Sequence, residues 1–138
     1  MVNKLICSDT PATCDHARSQ NFSLVQETTL FEAACAAGLK LAAKLGDGWS
    51  ARVWENLGWH YEAWSPNGRI RVNEYQTFDP TQKAKLEPRY SASIHRRPYE
   101  AGSPLPGQSA RTPQAAIVKA KDALRHEVKT WTDMLEGL

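Results

Sequence analysis

The stretch from Trp49 to Tyr75, WSARVWENLGWHYEAWSPNGRIRVNEY, constrains this chain more than any other, because it sets four of the five tryptophans into two strand-turn-strand units. Their register can be worked out from turn chemistry. Asn56-Leu57-Gly58 reads as a three-residue hairpin loop, with Gly58 supplying the positive φ needed at its last position. A three-residue loop pairs odd positions with odd, so Val53 faces Tyr61 and Ala51 faces Ala63. Trp49, Ala51, Val53, Trp59, Tyr61 and Ala63 then share one side. The other side pairs Trp54 with His60 and Arg52 with Glu62. Asn67-Gly68 is a second hairpin signal, of the type I′ kind in which both central residues take positive φ. A two-residue loop there pairs odd with even, which sends Ile70 and Val72 to the apolar side and Arg69 and Arg71 to the side of Trp54, His60, Glu62 and Trp64.

The rest of the chain supplies cover. Thr29-Leu30-Phe31-Glu32 reads as a capping box opening a helix of roughly sixteen residues, with Leu30, Ala34, Ala37, Leu41 and Leu45 on its buried face and Gly46 at its end. Residues 77 to 88 contain Asp79-Pro80 and Glu87-Pro88 and read as a polar loop. Arg89 to His95 alternates as a fourth strand, Tyr90, Ala92 and Ile94 inward and Arg89, Ser91, Ser93 and His95 outward. Residues 97 to 107 hold three prolines and two glycines and form a long loop. Thr112 caps a last helix, Pro113 takes its first position, and Ile117, Ala120, Leu124, Val128, Trp131 and Leu135 form its stripe. Its last turns either complete the core, the plainer account, or overhang the sheet and leave Trp131 and Leu135 to a partner.

A chain of 138 residues with 41% hydrophobic and 23% charged content suits one domain, taken here as an α+β fold over residues 23–138 preceded by an irregular arm over residues 1–22. A net charge of +2 does not by itself point to nucleic acid. No apolar run approaches the ~20 residues of a membrane span, and the first residues are too short for a signal peptide. The expectation is a cytoplasmic protein with reduced cysteines and no membrane contact. Cys7, Cys14 and His16 are ligand types that zinc favours, but six residues separate the cysteines and no fourth ligand is near. That spacing favours a polar arm with free thiols over a zinc site, and no cofactor is expected.

Catalytic signatures are missing from the sequence. Gly46-Asp47-Gly48 lacks the lysine and spacing of a phosphate loop, and His126-Glu127 meets Thr130 where a zinc-binding helix needs its second histidine. A non-catalytic binding protein is the expectation. The candidate surface is Arg52, Trp54, His60, Trp64, Arg69 and Arg71, since aromatic rings stack on bases and arginines meet phosphates. A plainer reading of those residues is a solvated face with internal cation–π pairs, or a face covered by other parts of the chain. A second basic patch comprises Lys83, Lys85, Arg89, Arg96 and Arg97, with the competing reading of an ordinary solvated charge run.

The order helix, three-stranded antiparallel meander, helix over residues 29–136 resembles the double-stranded-RNA-binding domain. That family has a Gly-Pro-x-His loop after its first strand and a lysine-rich start to its last helix. Here the loop is Asn56-Leu57-Gly58 and the helix opens Thr112-Pro113-Gln114-Ala115-Ala116, so no RNA-binding residue is carried over. The string Val53 to His60, with the Thr-Pro-Gln-Ala-Ala helix start, resembles small uncharacterised proteins of bacteriophages and prophages, which implies an accessory role. The sequence therefore leads to an α+β fold, a three- to four-stranded antiparallel sheet with two helices on one face, contacting nucleic acid through its Arg/Trp face. The alternative is a protein-interaction module, as a homodimer or as an inhibitor of a host defence complex.

Overall fold

A computed structural model describes residues 3–11, 24–78, 86–100 and 102–138. Among them are six strands and two helices, an α+β fold in which every strand pairing but one is antiparallel. The chain divides into two compact units, Met1–Pro66 and Asn67–Leu138.

The first unit is built on β2 (Ser50–Glu55) and β3 (Trp59–Trp64). Their register is the one the three-residue loop dictates: Ala51 opposite Ala63, Arg52 opposite Glu62, Val53 opposite Tyr61, Trp54 opposite His60. Gly58 has φ 133°, and Leu57 at the exposed tip is also left-handed, at φ 54°. Ala51, Val53 and Ala63 are buried against α1 (Leu24–Leu45). This helix starts five residues before Thr29, which corrects the capping-box expectation. With a helical turn already upstream, the amide that Thr29 would have capped has a backbone acceptor one turn back. Of the expected stripe, Ala34 and Leu41 are buried, but its other positions give way to Glu27, Gly38 and Ala42. Glu27, Ala34, Gly38, Leu41 and Ala42 are buried, whereas Leu30 is 48% exposed. Gly38 sits at the closest approach, where an added Cβ would lie 3.3 Å from the Cβ atoms of both Ala51 and Tyr61.

The irregular arm expected over residues 1–22 is corrected at its start. Lys4–Cys7 form β1, paired parallel to β2 from Lys4 opposite Ser50 to Cys7 opposite Val53. With α1 as the crossover, β1, α1 and β2 make a βαβ unit. Both ends of β1 are anchored. Asn3 Nδ2 donates to the carbonyls of Gly46 (2.9 Å) and Trp49 (2.8 Å), the Ser8 amide donates to Val53 O (2.9 Å), and Asp9 Oδ2 accepts from the Glu55 amide (2.9 Å).

In the second unit β4 (Ile70–Phe78) pairs antiparallel with β5 (Leu86–Ile94), and β5 with β6 (Gln108–Ala110). Two expectations are corrected here. Residues 77 to 88 are not one loop, because both strands run into that range with Thr77 opposite Glu87 and Gln76 opposite Pro88. Pro88 is tolerated because β6 pairs only with Tyr90 to Ala92, so the strand around Pro88 is an edge on that side. At Asn67-Gly68 only the glycine has positive φ, 70°, so the turn is not type I′. Asn67 Oδ1 instead accepts from the Arg69 amide at 3.1 Å, an Asx turn. The expected fourth strand holds, with Tyr90 and Ala92 buried, and α2 (Pro113–Glu136) covers that side with Ala116 and Ala120. Thr112 caps this helix by accepting from the Ala115 amide at 3.1 Å.

A buried polar contact ties α1 to β3. The fully buried Glu27 carboxylate takes the Trp59 indole N–H on Oε2 at 2.6 Å, its Oε1 has no hydrogen-bond partner among the described residues, and Phe31 meets the Trp59 ring edge-on at 5.0 Å. Removing the N–H strands a second buried oxygen, so Trp59→Phe should cost about 1–3 kcal/mol in urea unfolding. Adding Glu27→Leu to that variant should recover part of the loss, since no unsatisfied carboxylate then remains.

Candidate functional site

The residues first assigned to a binding face meet different fates. Arg52, Trp54, His60 and Trp64 belong to the first unit, Arg69 and Arg71 to the second. Trp64 is only 1% exposed, which corrects its assignment to an open surface. Its indole N–H donates to Glu62 Oε1 at 3.0 Å, and Ser50, its cross-strand partner, is buried too. The parity was right, yet the Ser50/Trp64 end of this side is covered. A sequence signal did exist: a carboxylate two residues before a tryptophan on one strand face is placed to accept its N–H.

The other end stays open. Trp54 and His60 stack with ring centroids 5.5 Å apart and planes 26° from parallel, as their cross-strand pairing dictates. His60 is exposed, and its Nε2 bonds with Asn56 O at 2.8 Å. Arg52 donates from Nε to Ser8 Oγ at 3.1 Å.

In the second unit, Arg69 donates to the Arg96 carbonyl, and the His95 amide donates to Arg69 O at 2.7 Å. These bonds fasten the start of β4 to the loop after β5. Tyr99, at φ 59°, donates from its amide to Gly68 O (2.8 Å) and lays its ring over Gly68, where an added Cβ would lie 2.5 Å from the ring. The rest of the second basic patch is partly neutralised. Arg89 pairs with Glu87 (3.4 Å) and Arg97 with Glu100 (3.8 Å), while Lys83 and Lys85 lie outside the described residues. Cys14 and His16 lie outside them too, and no cluster of three metal-ligating side chains occurs among the described ones.

A concavity in the second unit was not read from sequence, which only offered Trp131 and Leu135 to a partner as the alternative account. It is a cleft of about 750 Å³ between the second half of α2 and the loop after β5. Leu124, Val128, Trp131 and Leu135 line the helix side, Ile94, Pro104 and Leu105 the other, with Arg69, His95 and Arg96 nearby. The buried residues of α2 end at Ala120. Beyond it Val128 is 56%, Trp131 60% and Leu135 71% exposed, which overturns the plainer expectation that they complete the core. The helix, at about 36 Å, outruns the two strands it packs on most, about 30 Å for β5 and about 10 Å for β6, so its end has no strand beneath it. His95 and Glu127 both line the cleft but bond elsewhere, His95 Nε2 with Ser93 Oγ (2.8 Å) and Glu127 Oε1 with the Trp131 indole N–H (2.8 Å).

Compared with known proteins, the chain matches no family model, no curated protein and no solved structure.

Burial, and then the nearby Arg71 guanidinium, hold the His95 imidazole below its ordinary value of 6.5, against weaker opposing backbone contacts from Glu100 and Gly102. A base whose folded value is depressed binds its proton first in the unfolded chain. The contribution of His95 is therefore complete above pH 6.5 and lost as pH falls below it. Urea unfolding across that range should show stability falling toward acid, with a shallower fall in His95→Gln.

Proposed function

We propose that the chain is a non-catalytic protein-binding module that engages its partner through the second half of α2 and the cleft beside it. The observation that carries this reading is the run of large apolar side chains at Val128, Trp131 and Leu135, left uncovered on a helix whose buried face holds only small residues. Isolated exposed apolar residues are ordinary, but a contiguous set beside a cleft marks an interaction site. Tryptophan is also among the residues that dominate interface energetics. The opposite side of the same helix suits water: Arg125 pairs with Asp122 at 2.6 Å and Lys129 with Asp133 at 2.7 Å. An accessory role of the kind that the resemblance to phage proteins implies is compatible with this reading.

Nucleic-acid contact is the second reading. The open Trp54–His60 stack beside Arg52 favours it, because such rings accept a stacked base. Trp64 no longer contributes to it.

The two readings separate by mutation. Trp131→Glu should fold normally, as judged by far-UV circular dichroism, and weaken partner capture by the immobilised protein by about 30-fold, the scale of an interface hot spot. Capture that is indifferent to Trp131 would remove the first reading. Titration of labelled single- and double-stranded RNA and DNA at low salt, with Trp54→Ala as the control, tests the second.

A further inference from the structure

Resting on the protein-binding reading above, we infer that the partner is a second copy of this chain, joined by the uncovered halves of two α2 helices packed antiparallel.

The helix has the spacing for it. Leu124, Val128, Trp131 and Leu135 follow one another at intervals of four, three and four residues, the pattern that keeps one seam of a helix against a neighbouring helix. Pro113, Ala116 and Ala120 lie on the same side and are buried in their own unit. The seam thus changes from small residues where the helix meets strands to large ones where it does not. A two-fold axis near Trp131 would set each seam against the other, and each protomer would present both a ridge and the cleft that receives one. Such self-complementarity is what an isologous contact requires.

The area fits. Taking about 150–250 Å² for a full large side chain, the exposed parts of Val128, Trp131, Met134 and Leu135 amount to roughly 450 Å². Pro104, Leu105 and Leu124 along the cleft extend this toward the ~800 Å² per partner of a standard stable interface.

Charge fits as well. No basic residue stands in the last turn of α2, which carries Glu136 and the partial negative charge of the helix end. The cleft offers Arg69 and Arg96, while its one carboxylate, Glu127, already accepts the Trp131 indole N–H. A second α2 docked there brings its acidic end to these arginines, whereas a strongly basic partner would be repelled.

Sedimentation velocity and light scattering of the full chain, from micromolar to submillimolar concentration, test this directly. The expected result is a mass twice 15.4 kDa, reduced to the monomer by Trp131→Glu or Leu135→Glu. Arg96→Glu and Glu136→Lys should each weaken the dimer about tenfold, and the double variant should regain it. That charge exchange keeps the test decisive if the apolar variants fail to fold. A dimer unaffected by either pair of substitutions overturns the inference, as does a monomer at every concentration. If the monomer captures a foreign protein in a Trp131-dependent way, the second copy is overturned and the protein-binding reading stands. If capture is absent or indifferent to Trp131, both are overturned.

Discussion

Loop length at Asn56–Gly58 decides which side chains of β2 and β3 stand together, and the first unit depends on that parity. Three residues put Ala51, Val53, Tyr61 and Ala63 on one side, where α1 approaches until Gly38 lies against Ala51 and Tyr61. A loop one residue shorter or longer would turn one strand over relative to the other and bring Arg52 or Glu62 under the helix. The chain accepts a left-handed leucine at the hairpin tip within this loop. The cost of about 1 kcal/mol for such a residue is small beside that of a misplaced register.

The features legible in the sequence were those set locally. The pairing of Trp54 with His60, the Thr112 cap with Pro113 behind it, and the inward alternation of Tyr90 and Ala92 each follow from a few adjacent residues. Features set by distant partners were harder to see. β1 is four exposed residues whose strand character comes only from the edge of β2, more than forty residues away. Ala34 and Leu41 were legible on the inner face of α1, but Glu27, a residue type seldom buried, was not, since only its bond with Trp59 places it there.

The candidate site follows the same division. Loop-set register grouped Arg52, Trp54, His60 and Trp64 correctly by strand face, but register cannot tell which end of a face is covered, and Trp64 proved to be interior. The cleft along α2 depends on where strands end beneath a helix, which is a matter of tertiary length rather than pattern. Its stripe is continuous in sequence from Ile117 to Leu135, and nothing in the periodicity marks Ala120 as the last buried position.

The attachment of β1 has a consequence for solution behaviour. Asn3, Ser8 and Asp9 work as a clasp that holds a short segment along β2 and occupies backbone groups that would otherwise be open on that side. Released from the clasp, β2 would present an unpaired strand border able to recruit the same border of another molecule. Residues 3–9 thus cover a strand border of the kind that favours self-association when bare, although they add almost nothing to the core.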